Sequence, residues 1–201
     1  MIDGVIKYEL RHTLKEAPSF AGFAILEPLR ARLFALGLIG EKDGIGYGNL
    51  SMRHEESQQF FITATQTGKQ AHLSLAHYSL ISDYDVPLFR VCYQGIHQPS
   101  SEALSHAMIY AVHPEIQAVI HIHSAVLWQF MKDQNWLATT AEYGTAAMAT
   151  EISQLYQTND PFLHNAFVMK GHEDGIMVFA RTALEAELRL YELMQDFLQS
   201  L

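Results

Sequence analysis

The feature that most constrains this chain is the run Ala118-Val119-Ile120-His121-Ile122-His123-Ser124, an apolar, β-branched stretch that ends on two histidines one residue apart. β-Branched residues fit a pleated strand better than a helix. On an extended strand residues i and i+2 point to the same face, so His121 and His123 bring both imidazoles to one point. Two convergent neutral imidazoles suit Zn²⁺ or another divalent transition metal better than they suit a hydrophobic core. Such a pair can also simply face solvent, so the metal reading depends on what accompanies it.

Composition sets the outer bounds. A chain of 201 residues suits one domain, here with an N-terminal extension at 1–20, and can bury a sizeable core. Apolar content of 49% with 17% charged residues describes a soluble globular protein, and no apolar run is long enough to span a bilayer. Met1-Ile2-Asp3-Gly4 lacks the basic and apolar regions of a secretory signal, so a cytoplasmic protein is expected. The single cysteine, Cys92, cannot form an internal disulfide, and its apolar neighbours from Leu88 to Tyr93 predict a buried strand position. The formal charge is −9, with no stripe of Lys or Arg, which speaks against nucleic acid and membrane as partners. Of the eleven histidines, His12, His54, His72 and His77 sit among polar residues and read as surface or turn positions; His97, His113 and His164 have loop-like neighbours.

The pattern along the chain shows no repeat and no linker. Residues 22 to 37 have helical spacing and stop at Gly37, with Pro28 in the first turn or at a kink. The glycine-rich Gly44-Ile45-Gly46-Tyr47-Gly48 leads into a strand through Arg53, with Gln59 to Thr63 as its hairpin partner. Further strands are predicted at 78–83, 88–93, 116–123, 165–169 and 175–180, and helices at 102–112, 124–131, 147–157 and 182–199. In the last helix Leu184, Leu188, Tyr191 and Leu193 are spaced as a core face. The fold class is therefore α/β, a single domain with a central, largely antiparallel sheet covered by helices on both faces.

Chemistry gathers in four further places. Pro99-Ser100-Ser101-Glu102 opens a helix, where free N–H groups and the dipole favour an anion; the serines can equally be plain caps, and Glu102 and His106 a simple i,i+4 surface pair. Gly48-Asn49-Leu50-Ser51 combines a close backbone approach with an amide donor, and Thr63-Ala64-Thr65-Gln66-Thr67-Gly68 is a run of hydroxyls able to cradle an oxyanion. Gly171-His172-Glu173-Asp174-Gly175 places a histidine on a polar turn between two apolar strands. Each of these also reads as an ordinary turn.

Taken in order, the motifs resemble the class II aldolase/adducin family. Gly48-Asn49-Leu50-Ser51-Met52-Arg53 resembles its GN-x-S-x-R, Thr67-Gly68 its TG, Pro99-Ser100-Ser101-Glu102 with His106 and Tyr110 its PSSE helix, and Ala118 to Ser124 its metal strand. His172 stands where the third metal histidine belongs. The resemblance implies Zn²⁺ held by His121, His123 and His172, with Mn²⁺, Co²⁺ or Fe²⁺ as other candidates. Glu102 would be a fourth ligand and acid/base, Tyr143 would take part in catalysis, and Asn49, Thr67, Gly68, Ser100 and Ser101 would bind substrate phosphate. It also implies a sugar or sugar-phosphate-like substrate and a homo-oligomer, of the tetrameric kind. Glu102 favours aldol chemistry, since epimerase members carry Asp there. This chain departs from the pattern in a Thr63–Gly68 loop longer than ITPTG, a shortened stretch from His123 to Tyr143, and Glu173-Asp174 after His172. The expected function is a zinc-dependent lyase that cleaves or forms a carbon–carbon bond. The alternatives are a dehydratase, epimerase or decarboxylase on the same scaffold, with Glu142 as acid/base for dehydration, and a non-catalytic adducin-like interaction domain.

Overall fold

A computed structural model describes residues 5–201. Residues 1–4, the start of the expected extension and the site of the leader reading, lie outside the described residues. The strands are β1 (Glu9–Leu14), β2 (Gly40–Lys42), β3 (Ile45–Tyr47), β4 (Asn49–Arg53), β5 (Phe60–Thr63), β6 (Tyr78–Asp85), β7 (Arg90–Gln94), β8 (Ala118–His123), β9 (Ala138–Thr139), β10 (Ala166–Met169) and β11 (Gly175–Ala180). The helices are α1 (Phe23–Ala35), α2 (Ala103–Val112), α3 (Ala125–Asp133), α4 (Ala146–Thr158) and α5 (Ala183–Gln199).

Nine strands form one sheet in the order β1-β7-β6-β5-β4-β8-β11-β10-β9, and β2 and β3 form a separate hairpin. Most pairings are antiparallel; the two outermost, β1 with β7 and β9 with β10, are parallel. The strand β8 is thus an interior strand, between β4 and β11, with Asn49 opposite His121 and Gly175 opposite His123.

Period-2 alternation divides the core. Ile120 and Ile122 of β8 and Ile176 and Val178 of β11 pack with Leu26, Leu29 and Leu33 of α1 and Leu190 and Leu193 of α5. Val119 of β8 and Met177 and Phe179 of β11 pack with Leu104 and Ala107 of α2 and Met148 and Ile152 of α4. His121 and His123 share the parity of Val119, so they face the α2/α4 side. Three helix N-termini are set by hydroxyls in extended conformation: Ser124, Thr145 and Thr182 accept from Leu127 N, Met148 N and Glu185 N.

Four details differ from the expectations. The helix α1 runs through Pro28, which lies beyond the first turn, so the missing N–H costs one bond without ending the helix. Leu184 and Leu188 of α5 are exposed, and Ala183, Ala186, Leu190 and Leu193 form the buried face instead, because alanines let the helix approach the sheet closely. Cys92 is half-buried, since alternation on β7 turns Val91 and Tyr93 inward in its place. Strand β1, from a segment with mostly exposed side chains, adds to the sheet edge through its backbone.

Candidate metal centre

Three elements deliver the site. The strand β8 supplies His121 and His123, the β10–β11 turn supplies His172, and the first residue before α2 supplies Glu102. The His172 turn is tight: His172 N donates to Met169 O and Gly175 N to His172 O. Gly171 is obligatory there, because a Cβ would stand 2.1 Å from Ala141 O and 2.4 Å from Thr140 O.

The three imidazoles converge, with ring centroids 4.6 to 5.1 Å apart and one ring nitrogen from each within 4.8 Å of the others. Glu102, 1% exposed, lies against them. Its Oε2 contacts His121 Nδ1 and accepts from Asn49 Nδ2 at 3.1 Å, while Oε1 is 3.1 Å from His172 Nδ1. Burial alone would raise this carboxyl; the imidazoles of His121 and His172 outweigh it and hold Glu102 well below the usual carboxylate range. With Nδ1 of His121 turned to the carboxylate, its Nε2 is left buried with no hydrogen-bond partner, as is Asn49 Oδ1. Buried, unsatisfied acceptors are costly and rare. Three convergent imidazole nitrogens are the donor set of a divalent transition-metal site that keeps a position for substrate. A carboxylate on the far nitrogen of a ligating histidine fixes its tautomer and orientation. The residues present thus fit a metal ion.

Two spaces meet at the histidines. A cavity of about 20 Å³ is bounded by Asn49, Thr67, Gly68, Ser100 and Ser101 together with Glu102 and the three histidines. On the other side opens a cleft of about 1010 Å³, which His123, Tyr143 and His172 border with Tyr47 and Trp128. All ten expected site residues therefore gather in one region. Tyr143 is buried, its ring 4.6 Å from that of His172. Lys7 holds this loop, donating to Glu142 Oε1 at 2.6 Å and Tyr143 O at 2.9 Å and lying over the Tyr143 ring. Sequence reasoning missed Lys7, which belongs to no motif, and Tyr47, whose ring stacks on His123 at 5.1 Å; an aromatic within a glycine-rich turn was the available signal for the latter.

The surface pairing of Glu102 with His106 is not found. Both are buried, and His106 Nδ1 bonds to Ser51 Oγ at 2.7 Å, which in turn bonds to Tyr110 OH at 2.7 Å. Burial pushes the His106 imidazole down to about 3, so it is neutral. Arg53 donates to the carbonyls of Ser57, Tyr110, His113 and Ile116. These residues of the GN-x-S-x-R and PSSE motifs therefore lock α2 and the segment that follows it to β4.

Comparison with known proteins bears on the family and the fold. The model of the class II aldolase and adducin N-terminal domain matches residues 41–198. The fold is similar to that of an L-fuculose 1-phosphate aldolase, with 19% identity, TM-score 0.66 and coverage of 90% of this chain and 85% of the other. It is also similar to a sugar-phosphate aldolase from Thermotoga maritima (18% identity, TM-score 0.65, coverage 88% and 91%). An L-fuculose-1-phosphate aldolase from Thermus thermophilus is a third neighbour (20% identity, TM-score 0.57, coverage 87% and 88%). No curated protein sequence matches the chain.

Proposed function

This chain belongs to the class II aldolase and adducin family, and from that premise we propose that it is a metal-dependent lyase acting on a small hydroxy-carbonyl compound. The observation that carries this reading is the convergence of His121, His123 and His172 on the buried Glu102 beside an open cleft. His121, His123 and His172 would hold the ion, Zn²⁺ being the best match to the donors and Mn²⁺, Co²⁺ or Fe²⁺ the other candidates. When bound, such an ion supplies Lewis acidity to a carbonyl oxygen.

The chain's own groups supply the proton chemistry. Glu102 is a carboxylate, able to take a proton from the carbon next to a carbonyl and to return it. Asn49 donates to its Oε2, which His121 also contacts, and Oε1 stands 3.1 Å from His172 Nδ1. Tyr143 borders the cleft and would carry the hydroxyl proton, giving it to the aldehyde oxygen in the addition direction and taking it back from that hydroxyl in lysis. Glu142, the acid/base of the dehydration alternative, is instead ion-paired with Lys7 at 2.6 Å, which favours carbon–carbon lysis. A cytoplasmic homo-oligomer, tetrameric by analogy, completes the reading. Its support is the exposed Leu184 and Leu188, one turn apart on α5, and the lack, among the described residues, of any helix long and apolar enough to cross a membrane.

The test is exchange of the carbon-bound protons of dihydroxyacetone into D₂O, followed by NMR with zinc-loaded protein. Exchange above the blank is expected, reduced by about 10²-fold or more in Glu102→Gln. No exchange, or equal exchange in the variant, would sink the lyase reading.

A further inference from the structure

The segment that leads into β1 reaches the site from the edge of the sheet. Glu9 N donates to Phe89 O at 2.9 Å, and the buried Tyr8 meets the Phe89 ring edge-on and donates from its hydroxyl to Ser100 O at 2.6 Å. Lys7 therefore starts from an anchored backbone. Its ammonium donates to Glu142 Oε1 at 2.6 Å and to Tyr143 O at 2.9 Å, and it stands 3.9 Å from the centre of the Tyr143 ring. A cation over a ring is attracted by its electron-rich face. One side chain thus grips the carboxylate of Glu142 and both the backbone and the ring of Tyr143.

The rest of the loop is set through its backbone. Thr145 Oγ1 donates to Glu142 O at 2.7 Å and accepts from Met148 N, and Gly144 takes a φ of 61° with Ser101 O 3.0 Å from where a Cβ would lie. These contacts direct the chain into α4. The Lys7 ammonium bears on the Tyr143 ring itself, which also lies 4.6 Å from the ring of His172. Of the two loop residues that Lys7 holds, Glu142 is taken into the ion pair and Tyr143 borders the cleft. The side chains of Lys7 and Glu142 are both partly exposed, so their pairing adds little to stability. What it does is hold Tyr143 in place.

We propose that Lys7 is a positioning residue, which holds Tyr143 at the cleft for the proton transfer of the carbon–carbon step and has no part in proton exchange at Glu102. This rests on the lyase reading. In the addition direction the enolate carbon of one substrate bonds to the aldehyde carbon of the other, the carbonyl electron pair moves to the aldehyde oxygen, and that oxygen takes the Tyr143 proton; lysis is the reverse. Exchange of a carbon-bound proton with solvent requires neither the aldehyde nor the Tyr143 proton, so two assays separate the roles. Zinc-loaded wild type, Lys7→Met, Lys7→Arg and Tyr143→Phe are followed by NMR in D₂O, first for exchange into dihydroxyacetone and then for its addition to glycolaldehyde. Tyr143→Phe should slow addition by about 10²-fold or more. Lys7→Met should lower the kcat of addition by about tenfold or more, with KM for glycolaldehyde and the exchange rate within about threefold of the wild type. Lys7→Arg, which keeps a cation and donors for both acceptors, should restore addition to within about threefold. Addition unchanged in Lys7→Met, addition and exchange lost in parallel, or an arginine no better than methionine overturns the positioning role. A wild type that exchanges protons but adds nothing to glycolaldehyde, or a Tyr143→Phe variant that adds normally, refutes Tyr143 as the proton carrier and the role of Lys7 with it. A wild type that does neither fails at the lyase reading itself.

Discussion

Replacing Gly171 by alanine should weaken metal binding without touching a ligand. The new Cβ would stand 2.1 Å from Ala141 O and 2.4 Å from Thr140 O, and since real Cβ atoms essentially never approach within 3.0 Å, the backbones must part by about 3.0 − 2.1 = 0.9 Å. The carbonyl side of this contact cannot easily yield. The N–H groups of Thr140 and Ala141 are bonded to Glu151, and Lys170 N is bonded to Thr139 O at 2.7 Å. The displacement therefore falls on the turn that carries His172. Ligand positions in a metal site tolerate about 0.2 Å, so affinity for Zn²⁺ should fall by about 10–100-fold, the range for lost support of a ligand. The overpacking should also cost about 1–3 kcal/mol of stability. A competition titration against a chromophoric chelator measures the first effect and urea unfolding the second. Gly44→Ala is the control: nothing lies within 4 Å of its Cβ, and its φ of 82° makes it a purely conformational change. It should lose about 1–2 kcal/mol and keep its Zn²⁺ affinity. If Gly171→Ala binds Zn²⁺ within about threefold of the wild type, a difference under 1 kcal/mol, the steric coupling of this glycine to His172 is refuted.

Two further outcomes follow from buried charges outside the metal site. Arg53→Leu orphans the carbonyls of Ser57, Tyr110, His113 and Ile116 and should lower the unfolding free energy in urea by about 3 kcal/mol or more; a loss under about 1 kcal/mol would contradict its role as the pin of α2. Burial alone would raise the Glu187 carboxyl, but hydrogen bonds from Arg32, at 2.6 Å to each oxygen, and from Tyr191 outweigh it and leave it depressed. A carboxyl depressed in the folded state stabilises above its unfolded pKa of about 4.3 and loses that contribution as pH falls toward the folded value. The melting-temperature gap between wild type and Glu187→Gln should thus be steady near neutral pH and shrink below about pH 4, whereas a gap that widens on acidification would show that the ion pair does not stabilise.

Much of the site could be read in the sequence because its signals are local. The period of two in His121 and His123 fixes their shared face, and the PSSE run fixes Glu102 at a helix start. Pairings between distant segments could not be read. The partner of Glu187 is Arg32, 155 residues away, and the partner of Glu142 is Lys7, 135 residues away; neither pair has a sequence period. The helix α5 was ambiguous for a different reason: Leu184 and Leu188 on one side and Ala183, Ala186 and Leu190 on another both satisfy helical spacing, and only the sheet decides between them. The edge strand β1 pairs through its backbone while its side chains are mostly exposed, so its residues carry no burial pattern.

The most direct measurement is the metal content of protein purified without chelator, by elemental mass spectrometry, for the wild type and for His121→Ala, His123→Ala and His172→Ala. The expected result is about one divalent ion per chain in the wild type and its loss in each variant, with folded far-UV spectra throughout. A wild type that holds no ion even after dialysis against Zn²⁺, or an ion retained in all three variants, would contradict the assignment of these histidines as the metal centre.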